Sequence, residues 1–559
     1  MQFLGRLMYR RTTPTSSQNG MPRVRSLKTL HLVLALVTAL SALPVWAQEQ
    51  GAAAAPPGEA LELTLRDAAE MALRHNLQVH INKFAPEIQA ENITSARARF
   101  DPSVTFDVPS AFGQNTSQGT TTLAGGDIVT DETFGGGFGF SHLLEYGTNY
   151  SINWTAQRRF STNSFSTFNP NFSTNLRVQL TQPLLRNFGK ESNVSPIVIA
   201  QDNLEVSMET FRSQVQQTLL TVYQAYWQLV FAEDDLAVKE LSLDLARQQL
   251  ERNIVQVEIG TLAPIETIQA EQQVASNELL LTQAQQALAD ARDDLRRLLN
   301  VDASAAAGWD ALLVAADEPQ VSGETIDLQQ AIDQALERDP QLRSLRIGAR
   351  TRALSVRTAR NEMLPQVNFS GSLVLSGQGG DTLIRSGGFL SSDVVEIQEG
   401  GFSDALRNMF SADFRNWQVG LQVQFPINNW AAKAQHAQAI INERQQLMQI
   451  ADREQQLRVD ITKAVRQVTS GAQQVAQATV ARELAERQLD AEERKFAVGT
   501  TTNFEVLTFQ RDLANARTSE LQAITNYMNS VARLEQAKGT LLESLGMSIG
   551  MAGVSGRPR

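Results

Sequence analysis

Residues 208–257 read METFRSQVQQTLLTVYQAYWQLVFAEDDLAVKELSLDLARQQLERNIVQV. Within them Met208, Val215, Val222, Leu229, Leu236, Leu243, Leu250 and Val257 recur every seven residues, the period of a helix packed lengthwise against other helices. Phe231, Val238 and Leu245 form a second apolar row, so more than one face needs a neighbour. From Pro196 to Ile259 such a helix rises ~96 Å at ~1.5 Å per residue, far beyond an average globular helix of roughly 10–14 residues. Gly260 and Pro264 mark a turn, and an Ala/Gln/Leu-rich helix returns to about Leu299. The expectation is a long helical hairpin over 196–300 with its tip near 260–264.

Upstream, the N-terminus has the layout of an export signal over 1–47. Arg23, Arg25 and Lys28 precede an apolar run from Leu30 to Leu43, and Val45-Trp46-Ala47 fits a small-x-Ala cleavage site. The run is short for a permanent span, and Met21 is a second candidate start. The signal carries six basic and no acidic side chains, so its removal takes the net charge from −11 to −17. An acidic chain excludes a nucleic-acid partner that needs a basic surface. The chain has no cysteine, hence no disulfide, thiolate metal site or cysteine lipid anchor. No later run approaches ~18 apolar residues. An exported chain of this kind is either soluble outside the inner membrane or a β-barrel.

In chain order, 48–62 is Ala/Pro/Gly-rich and is expected to be a disordered linker. Short helices are predicted over 63–100, the first with Thr64 as N-cap, the second from about Ala85 to Phe100, before Asp101-Pro102. Over 102–183 the texture changes to Gly, Ser, Thr, Asn and Phe without a lysine. Segments 104–108, 134–140, 149–155 and 176–182 alternate at period two, as strands do. The stretches 113–130 and 158–175 read as polar loops. Aromatics near the strand ends (Phe106, Tyr150, Trp154) fit an outer-membrane barrel wall, with a soluble β-domain as the alternative.

After a linker over 301–325 the pattern starts again. The segment 63–73, LTLRDAAEMAL, matches 326–336, IDLQQAIDQAL, at an offset of 263, which also pairs Arg97 with Arg360 and Pro102 with Pro365. LRVQLTQP at 176–183 echoes VGLQVQFP at 419–426, and Gly260-Thr261 echoes Gly499-Thr500. The second repeat covers 326–545: short helices 326–364, a β-segment 366–426, and a hairpin 429–545 with its tip near 499–503, before a tail over 546–559. The fold class is therefore mainly α with a β membrane segment, a tandem repeat of long α-helical hairpins plus β-strands. A lone copy would leave unpaired strand edges and helix faces, which a closed cyclic oligomer removes.

The duplicated layout, the Thr181-Gln182-Pro183-Leu184-Leu185 exit from the β-segment, and the Ile259-Gly260-Thr261 and Val498-Gly499-Thr500 tips resemble the TolC family of outer-membrane efflux channels. The resemblance covers about 60–545. It implies a homotrimeric channel-tunnel, with a β-barrel among outer-membrane lipids and an α-helical barrel through the periplasm. It also implies tips that meet a periplasmic adaptor protein and its inner-membrane pump. The function implied is a passive exit duct for drugs, metabolites or metal ions. A type I protein-secretion duct and a trimeric structural or surface protein without a pore are the alternatives. The first β-segment departs from the family in having four strands, with a turn at Glu145-Tyr146-Gly147. Either the extra hairpin sits outside the wall, which is the expectation, or the barrel exceeds the family's twelve strands. The second β-segment is expected to hold one strand at each end and a long Gly/Ser-rich loop.

No enzyme constellation is present. His31, His75, His80, His142 and His436 are scattered, and no catalytic, metal or cofactor-binding residue is assigned. Gly260, Thr261, Gly499 and Thr500 are the candidate adaptor contacts, although any helical hairpin benefits from glycine at its turn. The resemblance puts Glu266 and Glu505 near the pore constriction, where three copies of each would favour cations. A helix N-terminus favours Glu in any case. Thr508 stands where family channels often carry a second Asp, and Phe496 and Thr501 replace a polar Tyr and Arg that latch such tips.

Overall fold

The computed structural model describes residues 60–118, 128–163, 166–300, 312–321, 326–386 and 394–547, all within the unit Ala54–Arg559. The expected export signal, the linker up to residue 59 and the tail from residue 548 lie outside the described residues.

Two expected linkers contain strands. β1 (Ala60–Leu63) pairs in parallel with β6 (Leu312–Ala315), Ala60 opposite Leu312. The cause is burial: Leu63 and Leu313 are enclosed by the helical core, and the fully buried Tyr226 needs polar partners. Its hydroxyl lies 3.0 Å from the Leu63 carbonyl and 2.9 Å from Asp317 Oδ2. Asp317 also accepts from the Leu65 amide at 2.6 Å.

α1 (Leu65–His75) starts at the expected Thr64 cap, whose hydroxyl accepts from the Asp67 amide at 3.2 Å. Its buried face is Ala68, Ala69 and Ala72, small enough for close helix approach. α2 (Leu77–Arg97) follows directly, capped by Asn76, eight residues ahead of the expected start. The second repeat mirrors the pair with α5 (Leu328–Arg338) and α6 (Pro340–Glu362), capped by Asp327 and Asp339. Each helix of that pair opens behind a side-chain oxygen that takes the first free amides.

The first hairpin comprises α3 (Lys190–Glu258) and α4 (Ile265–Leu299). At 69 residues α3 rises ~104 Å. It begins ahead of the expected Pro196, which lies inside it. Proline has no N–H for the Ser192 carbonyl, and the Ser195 hydroxyl donates to that carbonyl at 3.1 Å instead. Val215, Val222 and Leu229 of the seven-residue row are buried beside Tyr226 and Trp227, with Leu295 and Leu299 of α4. Leu243 of the same row is buried too, but beyond it the buried positions are Ala246, Gln249 and Asn253. An α-helix at 3.6 residues per turn drifts ~20° per heptad, which carries Leu250 and Val257 off the buried seam. The second hairpin is α8 (Trp430–Ala497) and α9 (Asn503–Lys538), followed by the short α10 (Leu541–Ser544). Ile461, Val468 and Val475 are buried there as their spacing predicts, while Leu447 is exposed.

The other described strands form one antiparallel sheet. β2 (Ser103–Gln118), β3 (Ile128–Leu143), β4 (Asn149–Ser161), β5 (Phe168–Pro183) and β7 (Gln366–Arg385) pair in that order. β9 (Arg415–Gln424) pairs with β7 from Gln366 to Leu375, and β8 (Val394–Gln398) pairs from Thr382 to Arg385. This corrects three expectations. Among the described residues no hairpin stands outside the wall, because β2–β3 pairing continues into β3–β4 and β4–β5 and satisfies the backbone in plane. Of the stretches read as loops over 113–130 and 158–175, the residues 113–118, 128–130, 158–161 and 168–175 are strand, since polar side chains do not stop a ladder whose partner also continues. The expected Gly/Ser-rich loop of the second β-segment instead holds β8 and a helix, α7 (Phe402–Phe410). That helix lies on β7 and β5, and an added Cβ on Gly377 would meet the Ala405 carbonyl at 1.9 Å.

Candidate functional site

The wall has two chemically distinct faces, which follow from its register. Directly paired residues share a face. One row runs Phe106–Phe138–Trp154–Leu176–Leu375 and the next on that face Val104–Phe140–Ile152–Val178–Leu373–Trp417. The rows between them run Thr105–Gly139–Asn153–Arg177–Val374–Asn416 and Ser103–Ser141–Ser151–Gln179–Ser372–Gln418. Aromatics mark both borders of the apolar face. His142 Nδ1 lies 2.9 Å from the Tyr150 hydroxyl towards the helices, and Phe134 and Phe172 stand towards the far loops. The Glu145–Gly147 turn forms as expected: Gly147 takes φ +88°, and its amide donates to the Leu144 carbonyl at 2.8 Å. Glu145 also pairs with Lys190 at 2.7 Å, tying that turn to the first residue of α3.

At the far end of the hairpins the two tips share one geometry. Gly260 and Gly499 have φ +79° and +75°. Their amides donate to Val257 and Phe496 carbonyls, both at 3.0 Å, and the amides of Thr261 and Thr500 reach back to Gln256 and Lys495 at 2.9 and 3.0 Å. This is a Schellman C-cap. Each threonine hydroxyl donates to the same carbonyl as its amide, at 3.0 and 3.1 Å. Gly-Thr therefore recurs because it closes the helix twice over, and all four tip residues remain exposed.

Glu266 and Glu505 sit in the first turns of α4 and α9 and differ in environment. Glu505 is exposed, with its amide donating to the Thr502 cap at 3.4 Å. Glu266 is half-buried, and its Oε2 accepts from Asn503 Nδ2 at 3.3 Å. Asn503 belongs to a buried polar cluster: Gln249 Nε2 lies 2.8 Å from Asn503 Oδ1 and 2.9 Å from Asn253 Oδ1, and Arg252 donates to Gln249 Oε1 at 2.7 Å. Asn253 reaches the Glu266 carbonyl at 3.3 Å. The cluster joins the end of α3, the start of α4 and the first residue of α9, so it fastens one hairpin to the other. Phe496 packs with Leu489, Val506 and Leu513 rather than meeting a polar latch. The sequence held one signal for Asn503: the tip offset pairs it with Pro264, so the repeats differ there in hydrogen-bonding capacity.

The family model for outer membrane efflux proteins matches residues 143–301 and 331–540. The chain belongs to the outer membrane efflux protein family. The first matched segment begins at Leu143, the last residue of β3. Among solved structures, CusC is 16% identical, with 86% of this chain and 92% of that chain covered at a TM-score of 0.59. The CmeC outer membrane channel of Campylobacter jejuni is 14% identical, covering 85% and 86% at 0.58. The outer membrane protein VceC of Vibrio cholerae is also 14% identical, covering 85% and 96% at 0.58. At these identities the likeness is one of fold. No curated protein matches the chain.

Proposed function

We propose that three copies close into a trimer whose strand wall is a barrel in the outer membrane and whose hairpins continue it as a duct through the periplasm. The duct is the passive exit of an energised efflux assembly for small molecules. One observation carries this reading: a wall with one apolar and one polar face ends in β2 and β9, each paired on one side only among the described residues. Such edges cannot stay open in a bilayer, and rotational symmetry joins β9 of one copy to β2 of the next. The exposed tips at Gly260, Thr261, Gly499 and Thr500 present themselves to a periplasmic adaptor protein and through it to an inner-membrane pump. Glu505 and Glu266 contribute negative charge at the tip end of the pore.

Planar-bilayer recording of the purified trimer tests the duct. Single-channel steps are expected, and their absence from intact trimers overturns it. Glu505→Gln combined with Glu266→Gln should lower cation preference, and unchanged selectivity removes both residues from the constriction. A second reading, a duct for a secreted protein chain, is favoured by the breadth of the wall. Capture of the partner pump separates the two.

A further inference from the structure

We infer that the apolar face of the wall binds a phosphorylated acyl lipid of the outer leaflet, its chain in a groove over Gly136 and Ala156 and its phosphate on Arg158. The inference rests on the membrane reading above. Gly136 and Ala156 are register partners on β3 and β4, and the flanking rows on the same face are Phe138–Trp154 and Phe134–Arg158. A row of small residues between two rows of tall ones leaves a trough across the strands, about 830 Å³ in volume and almost wholly apolar. It ends where Phe172 meets Phe402 of α7, ring centroids 6.3 Å apart. α7 is held there by the hydrogen bond from Thr174 Oγ1 to Met409 Sδ at 3.4 Å, while Thr174 Oγ1 itself accepts from Trp154 Nε1 at 2.9 Å.

The occupant follows from charge and depth. The Arg158 side chain stands exposed at the rim and makes no ion pair or hydrogen bond among the described residues, whereas that of Arg159, on the opposite face, is held by Asp131 at 2.6 Å. Arg158 lies eight residues beyond Tyr150 along β4, ~27 Å of strand at ~3.4 Å per residue. On a strand tilted ~35–45° that nearly crosses the ~25 Å apolar band of such barrels. The guanidinium thus sits at the interface away from the helices, level with lipid phosphates, whose geometry it matches bidentately. The trough below it opens onto the hydrocarbon and takes an acyl chain.

Native mass spectrometry of delipidated trimers titrated with lipid A tests this. Three saturable lipid A molecules per trimer are expected. Arg158→Gln and Ala156→Phe should each weaken binding about tenfold or more, the value of a charge-assisted contact or of the groove itself. Equal binding by wild type and both variants overturns the site. So does uncharged diacylglycerol binding as tightly as lipid A, or inorganic phosphate displacing it completely. A wild-type trimer that takes no lipid A, with Ala156→Phe breaking the trimer, overturns it in favour of a neighbouring copy filling the groove. Conductance recorded on the same preparations keeps the two readings apart: lost lipid with retained steps supports the site, and absent steps fault the duct alone.

Discussion

Gly260 and Gly499 do the same work at equivalent places. Both hold φ in the left-handed region, and a Cβ at either position would meet nothing within 4 Å. Alanine there costs backbone strain alone, about 1 kcal/mol. Gly260→Ala or Gly499→Ala should speed amide exchange at Thr261 or Thr500 about fivefold while the rest of the hairpin keeps its protection. The glycines were legible because they recur as part of Gly-Thr in a repeat. Asn503 was harder to read, because what defines it is burial against Gln249 and Asn253, residues far away in the chain. Asn503→Ala leaves Gln249 without that acceptor and Glu266 without that donor, a loss of about 1–3 kcal/mol for a buried polar group. Faster hydrogen exchange in both tips together is expected. Change confined to α9 would mean that the cluster does not couple the hairpins.

Among the elements, the long helices were the most legible, since a seven-residue row needs no partner to be seen. The strands were shortened in the reading because their outer halves lack apolar alternation, as in 113–118, GQNTSQ, although β2 pairs with β3 to Gln118. α7 was missed altogether. Its seat is cut by glycines on β7: a Cβ on Gly377 would lie 1.9 Å from the Ala405 carbonyl and one on Gly379 2.5 Å from the Gly401 carbonyl. Glycine therefore marks here a strand that admits a helix at backbone distance, a meaning that glycine-rich composition shares with loops. Gly377→Ala should lift α7 from the wall at a cost of about 1–3 kcal/mol. Trp154, next to the pinned Thr174, reports it: emission shifts to the red if the helix leaves and stays unchanged if the sheet yields instead.

For the whole molecule, the consequence of the unbroken sheet is circumference. The wall is six strands wide among the described residues, with β8 and β9 sharing the far side of β7, so a trimer joined through β9 and β2 would close with eighteen strands rather than the twelve implied by the family resemblance. Barrel diameter grows roughly in proportion to strand number, and roughly 16–18 strands leave an aqueous channel. The outer-membrane end would then be about half as wide again as a twelve-stranded one. Closure can be read chemically, because the chain has no cysteine of its own. With eighteen strands β9 of one copy meets β2 of the next, and with twelve it meets β4, the β2–β3 hairpin having peeled away. Single cysteines at Asn416, Gln418, Gly420 and Gln422 on the polar face of β9, each combined with Thr105→Cys on β2 or Asn153→Cys on β4, separate the cases. Oxidation should link β9 to Thr105→Cys in at least one register and yield covalent trimers, while Asn153→Cys stays free. Linkage through Asn153→Cys alone would return the barrel to twelve strands and require the hairpin to leave the wall on assembly, against the pairing it makes along β4 from Asp131 to Leu143.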